Sequence, residues 1–157
     1  GAVVGVMVFC KIKKIKIAAL LDVVLLGFLI GQSIGRWGNF FNREAFGAPT
    51  ESFLRMGLFN TRTGAWEYYH PTFLYESLWN LCLFLLLVLY RPKKKFGGQI
   101  FGLYFLGYAL GRVWIEGLRT DQLMIGSFAV SQLLSAGIIV AAVAFLIWKG
   151  RKEKTAE

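Results

Sequence analysis

Residues 35–47 read GRWGNFFNREAFG and follow directly on the apolar run IAALLDVVLLGFLIGQSI. Thirteen residues hold two arginines, two asparagines, a glutamate and three glycines. A guanidinium is a planar fork of five N–H donors that matches a phosphate or carboxylate through paired hydrogen bonds. Arg36 with Asn39, Asn42 and Glu44 is therefore a candidate anion site, with Arg43 and Gly47 closing the stretch. Two further stretches bring the same chemistry. HPTFLYE (70–76) contains His70, which is the sole histidine, together with Tyr75 and Glu76. GRVWIEGLR (111–119) places Arg112, Glu116 and Arg119 at intervals of four and three, on one face of a helix. Each cluster has a plainer reading: Arg112 and Glu116 lock a helix as a satisfied pair, Arg36 reaches out to the interface, and His70 is structural at a helix start.

The elements that must position these groups are apolar. The runs 17–35, 72–90, 98–118 and 127–148 each hold 19–22 residues, and 1–10 is a fifth, shorter run. About 20 such residues span a hydrocarbon core of about 30 Å as a helix. With 56% hydrophobic residues, 17% charged and a mean hydropathy of +0.54, the chain departs from soluble composition. The expectation is an all-α polytopic membrane protein of about five transmembrane helices, the first truncated. One membrane domain would cover 1–157, with an extracytoplasmic loop at 43–71. Within that loop, apolar and aromatic runs flank NTRTG, which predicts a β-hairpin.

Net charge is +9, but its distribution speaks against nucleic acid as a partner. Twelve of eighteen basic residues fall in KIKKIK (11–16), RPKKK (91–95) and KGRKEK (149–154), four in each. These come after the first, third and fifth apolar runs, so alternate crossings put all three on one face, the cytoplasmic one by the positive-inside rule. Loops 43–71 and 119–126 then lie outside. The remaining six basic residues are all arginines near the outer half: Arg36, Arg43, Arg55, Arg62, Arg112 and Arg119. Counting 14 residues from Gly98 sets Arg112 about 21 Å into its helix. A charge at such depth faces a polar cavity and a partner. Asp22, near the inner end of its run, is expected to pair with lysine. Gly27, Gly31 and Gly35, Gly98 and Gly102, and Gly107 and Gly111 have the spacing of close helix contacts. Cys10 and Cys82 fit no metal spacing and are read as small buried hydrophobes. No metal site and no cofactor are expected. Read from the residues alone, the chain has an anion site at the outer membrane face.

GRWGNFFNREAFG closely resembles GRxGNFxNxExxG, the signature of the prolipoprotein diacylglyceryl transferase family. HPTFLYE resembles that family's HPxxLYE stretch, and GRVWIEGLR its FRxxxExxR stretch, with Gly111 in place of Phe. The three occur in family order, and the resemblance covers essentially the whole chain. It implies transfer of a diacylglyceryl group from phosphatidylglycerol to the lipobox cysteine of a prolipoprotein, forming a thioether and releasing glycerol phosphate. By position it implies catalytic roles for Arg36, Arg112, His70 and Glu116, and substrate contacts from Arg36, Asn39, Asn42, Glu44, Gly47, Tyr75 and Arg119. The attacking thiol belongs to the substrate, so no catalytic cysteine is needed here. The family also carries a histidine in an HGG-like stretch of an earlier helix. GAVVGV at the start of this chain is similar to the residues just after that histidine, with Ala2 at the second glycine, so the chain is expected to be a C-terminal portion. A bacterial cytoplasmic membrane location is implied, with the site toward the outer face and the C-terminus inside. The rival reading is a non-enzymatic membrane anion or lipid transporter. It explains the arginines and glycines but not the long signature, and the repeated halves common in transporters are absent.

Overall fold

A computed structural model describes residues 1–119, 124–125 and 128–155. Residues 120–123 and 126, expected in the second outer loop, lie outside the described residues. Five α-helices are described: α1 (Ala2–Lys13), α2 (Ile17–Asn42), α3 (Thr72–Tyr90), α4 (Gln99–Glu116) and α5 (Val130–Lys154). Strands β1 (Met56–Asn60) and β2 (Ala65–Tyr69) form the expected antiparallel hairpin, in register from Met56 opposite Tyr69 to Asn60 opposite Ala65. Gly64, at φ +67°, closes its turn in a conformation that glycine adopts without a Cβ clash. A second pair, β3 (Met124–Ile125) and β4 (Phe128–Ala129), takes the start of the run assigned above to the last helix.

The chain is a predominantly helical membrane protein. Among the described residues, three helical segments are long and apolar enough to cross a membrane: Ile17–Asn42, Thr72–Lys93 and Val130–Lys154. Two of the expected crossings do not meet that standard. α1 has 12 residues, and α4 has 18, among them Gln99, Arg112 and Glu116, which lower its apolarity. α4 compensates by packing: it lies against α3 on one side and α5 on the other.

α2 continues past the apolar run because nothing in GRWGNFFN breaks a helix except its glycines. It stops where Arg43 turns left-handed at φ 54°. α3 starts just after Pro71, which presets the backbone and has no N–H to satisfy. α4 begins after Gly98, at φ 90°, and its cap comes from another helix. Asp22 Oδ2 accepts the Gly98 N–H at 3.0 Å, and its Oδ1 accepts the Phe101 N–H at 2.9 Å. Lys94 donates to the same carboxylate at 3.3 Å, the lysine partner expected for Asp22. Unpaired N–H groups at a helix start are costly away from water, and Asp22, 2% exposed, answers two of them.

The apolar core joins Leu26 and Leu29 of α2, Leu87 of α3, and Ile100 and Tyr104 of α4. It occupies the half of the bundle that carries the RPKKK segment. Polar contacts take over toward the hairpin. Ser33 and Ser77 exchange hydroxyl-to-carbonyl bonds at 2.9 Å between α2 and α3. Trp79 Nε1 donates to the Gly107 carbonyl at 2.9 Å between α3 and α4. Two glycine pairs act as expected: a Cβ on Gly107 or Gly111 would strike Leu83 or Trp79 of α3, and Gly102 abuts Leu146 of α5. Gly27, Gly31 and Gly35 have no such neighbour among the described residues, since nothing beyond α2's own nearby backbone comes within 4 Å of their Cβ positions; α2 meets α3 through the Leu29 and Ser33 side instead. Cys10 is buried as expected, whereas Cys82 is exposed on α3 among lipid-suited side chains such as Leu85 and Leu86.

Candidate functional site

Four charged side chains from three helices form one continuous chain. Arg36 of α2 places Nη2 2.5 Å from Glu76 Oε2 of α3. Arg112 of α4 donates from Nη1 to Glu76 Oε1 at 3.0 Å, and from Nη2 to Glu116 Oε2 at 2.6 Å. The carboxylates are the deep members, 5% and 8% exposed at the side chain. The arginines are shallower, at 26% and 20%. Oε2 of Glu76 is buried and accepts no aligned hydrogen bond, so its link to Arg36 is an ion-pair contact. Glu76 lies four residues into α3 from Thr72, about 6 Å along the axis, so the chain sits just inside the hairpin end of the bundle.

A backbone corner completes the arrangement. Gly47 N–H donates to the His70 carbonyl at 2.9 Å, Ala48 N–H to the Leu118 carbonyl at 2.9 Å, and His70 N–H to the Ala48 carbonyl at 3.0 Å. Gly47 also bridges Arg119, and Pro49 bridges Tyr69. The Thr72 hydroxyl donates to the Ala45 carbonyl. The polypeptide reaches this corner through two left-handed non-glycine residues, Arg43 at φ 54° and Ala45 at φ 55°, a conformation uncommon outside glycine. A Cβ on Gly47 would sit 2.7 Å from the Leu118 carbonyl oxygen and 2.8 Å from His70 Cβ. Only glycine fits where three chain segments cross.

The match to the family profile described as prolipoprotein diacylglyceryl transferase runs over residues 1–148, nearly the whole chain. The chain belongs to the prolipoprotein diacylglyceryl transferase family. It is 42% identical to the phosphatidylglycerol–prolipoprotein diacylglyceryl transferase of Synechocystis sp., covering 94% of this chain and 56% of that protein. It is 46% identical to the like-named protein of Gloeobacter violaceus, covering 100% and 62%. It is 45% identical to that of Listeria welshimeri, covering 97% and 57%. The chain thus spans a little over half the length of these relatives.

The three prolipoprotein diacylglyceryl transferase stretches meet twice in this fold, through side chains at the ion-pair chain and through backbone at the Gly47 corner. Arg36, Arg112 and Glu116 are in the first meeting place, and Gly47, His70 and Arg119 in the second. Tyr75 links toward the corner: its hydroxyl is 3.2 Å from His70 Nδ1, and its ring lies against Trp114 at 6.1 Å between centroids. Asn39 gives its carbonyl to the Glu44 N–H at 3.0 Å at the end of α2. Asn42 and Glu44 are exposed and bonded to each other at 3.1 Å, and neither is joined to the ion-pair chain by a described hydrogen bond. Arg43 lines a cleft of about 280 Å³ between the end of α2 and the hairpin, lined also by Phe40, Met56 and Trp66. Sequence reasoning gave Glu76 no role, yet it joins the two arginines. As the last residue of HPTFLYE, in an apolar run with no cation in that motif, it could be read as a charge in need of a partner, but nothing in the motif says which.

Just outside the bundle, the hairpin is stiffened by its own polar cluster. Glu67 accepts from Asn60 Nδ2 at 2.8 Å and from the Tyr69 hydroxyl at 2.5 Å. The Tyr69 bond, then the Asn60 bond, holds the Glu67 carboxyl below its ordinary value. The same Glu67 bond pushes the Tyr69 phenol up.

Proposed function

We propose that this chain supplies the phosphate-gripping part of a phosphatidylglycerol–prolipoprotein diacylglyceryl transferase. In this reading it is a single membrane domain, 1–157, in a bacterial cytoplasmic membrane. All five helices take part in crossing it. The lysine-rich segments and the C-terminus lie inside, and the hairpin and loop 43–71 outside. The convergence of Arg36 and Arg112 on Glu76 supports the reading, in a chain whose relatives carry that enzyme's name.

Arg36 commits one nitrogen to Glu76, which leaves Nη1 and Nε to face a phosphodiester. Arg112 is held from both sides by Glu76 and Glu116, so its plane is set before a ligand arrives. Asn39, Asn42 and Glu44 address the glycerol of the head group, and Gly47, Tyr75 and Arg119 shape the adjoining wall. In the reaction the thiol sulfur of the lipobox cysteine attacks the glycerol carbon that bears the phosphate ester. The C–O bond breaks, its electron pair leaves on glycerol phosphate, and the S–C bond forms. The thiol must shed its proton to attack well. His70 is a candidate acceptor at Nε2 when its Nδ1–H donates to Tyr75. Preorganised guanidinium groups stabilise charge growing on the leaving phosphate, the kind of contact whose removal slows turnover about 100- to 1000-fold.

The test is transfer from labelled phosphatidylglycerol to a peptide bearing a lipobox cysteine, with protein expressed from its complete gene. Arg112→Gln is expected to lower turnover by at least about 100-fold while the protein still elutes as a folded species. Normal turnover by that variant would overturn the role of Arg112. Absence of thioether product from the unsubstituted protein would overturn the function itself.

A further inference from the structure

We infer that Glu76 is a positioning residue for the transfer reaction: its carboxylate sets the spacing and tilt of the two guanidinium groups that meet the phosphate. The inference rests on the function proposed above. Arg36 and Arg112 come from different helices, and the contact they share is Glu76, at 2.5 and 3.0 Å on separate oxygens. α2 and α4 each also pack on α3, the helix that carries Glu76, so its backbone position is fixed from both sides. Its neighbour Ser77 is tied to Ser33 of α2 through bonds at 2.9 Å in each direction. A carboxylate so held is a rigid spacer between two cations that would otherwise repel.

The charge balance sharpens this role. Arg36, Arg112, Glu76 and Glu116 carry formal charges that sum to zero, so each cation of the group has a carboxylate beside it inside a low-dielectric bundle. Each carboxylate also faces guanidinium nitrogens on its own side: Glu76 accepts an N–H from Arg112 and meets Arg36 Nη2 in an ion-pair contact, and Glu116 accepts an N–H from Arg112. The phosphate is thereby confined to the donors left over, on the more exposed faces of the arginines. A neutral amide at position 76 would keep the shape but not the attraction to both cations. The arginines would then move apart, while one more net positive charge would draw the anionic lipid at least as strongly. Turnover should therefore fall while lipid binding holds or strengthens.

The experiment uses Glu76→Gln and Glu76→Asp in protein expressed from its complete gene, with turnover counted per folded molecule and KM for phosphatidylglycerol measured alongside. Gln is expected to lower kcat by at least about 100-fold, equivalent to about 2.7 kcal/mol, with KM unchanged or lower. Asp keeps the charge but is one methylene too short to reach both arginines, and should fall between the two, about tenfold below the unsubstituted protein. A merely structural glutamate would reduce the amount of folded protein and leave kcat and KM of the remainder alone. The inference is overturned if either variant, once folded, turns over within threefold of the unsubstituted protein. It is equally overturned if the loss lies in KM. If Gln yields no folded protein, Asp alone decides on the same criteria. Failure of the unsubstituted protein to make thioether strikes the proposed function instead.

Discussion

Gly47→Ala tests the corner where the three motif stretches cross. The added methyl would sit 2.7 Å from the Leu118 carbonyl oxygen, 2.8 Å from His70 Cβ and 3.1 Å from Thr72 Cγ2. Ordinary contact begins near 3.4 Å, so the two closest neighbours must retreat by at least 0.6 Å. None of the three is the free end of a flexible side chain. Overfilling a packed site costs about 1–3 kcal/mol. The retreat also strains the bonds from Gly47 to His70 and from Ala48 to Leu118, each contributing about 1 kcal/mol net. If the corner yields by losing one of them, the penalty is about 2–4 kcal/mol, or roughly 30- to 900-fold in an equilibrium between closed and open corner. Because this corner ties the start of α3 and the end of α4 to the end of α2, the loss should appear in diacylglyceryl transfer as well as in the unfolding midpoint. Gly137→Ala, in open space on α5, is the control: it should hold or raise stability by up to about 1 kcal/mol. If Gly47→Ala transfers at the normal rate with an unchanged midpoint, the three segments cross more loosely than these distances require, and the corner does not hold the helix ends together.

Two further predictions concern the ends of the bundle. Asp22→Ala removes the cap that α2 lends to α4 and strands the Gly98 and Phe101 N–H groups. Denaturant unfolding in detergent should show a loss of about 2–3 kcal/mol, with transfer per folded molecule retained because the ion-pair chain lies at the other end. The hairpin should respond to pH through Glu67 and Tyr69. The Glu67 carboxyl is lowered by its bonds to Tyr69 and Asn60. Its contribution is therefore present above the unfolded carboxylate pKa of about 4.3, and is lost as pH falls through the lowered folded value. The Tyr69 phenol is raised by the same bond, so its contribution is complete below about pH 10 and is lost as pH rises through the raised value. Amide exchange across β1 and β2 should show both losses, and Glu67→Gln should abolish the acid-side one.

Much of this architecture was legible because apolar run length and turn chemistry are local signals. α3 begins and ends where the run 72–90 predicts, since Pro71 and Arg91–Pro92 bracket it. NTRTG announced the hairpin for the same reason. α4 was harder: its run is apolar on average, but Arg112 and Glu116 can be sheltered only by neighbours, and neighbours are not a local property. The glycine spacing on α2 has no close neighbour among the described residues, because a stripe of small residues states that a helix can be approached closely without stating by what. Arg36 and Arg112 were legible as candidates from residue type and depth. Their common partner was not, because a glutamate beside an aromatic reads the same whether it faces lipid, solvent or two cations. Asn42 and Glu44 stood in the signature, yet α2 ends between them and turns both outward.

The physical reason for building the cluster from four charges lies in what two arginines alone would do. Two unpaired guanidinium groups in a helical bundle would repel and would each bear a desolvation penalty of several kcal/mol. Carboxylates of equal number remove the repulsion but take up donors. Arg36 and Arg112 have ten N–H groups between them; two of those on Arg112 are donated to Glu76 and Glu116, and Arg36 Nη2 meets Glu76 in an ion-pair contact. A phosphodiester can therefore bind without displacing either carboxylate, adding its charge to a frame whose cations are already paired and already fixed. That is the condition for preorganised stabilisation of a leaving phosphate: the donors do not reorient as charge develops on it. The same economy makes the frame intolerant of change. Removing Arg112 takes a guanidinium from both Glu116 and Glu76, and removing Glu76 leaves its two cations to repel. Substitutions at these positions should be non-additive: pairing Arg112→Gln with Glu76→Gln should cost clearly less than the sum of the two alone. A double variant whose loss equals that sum would show that the four charges act separately.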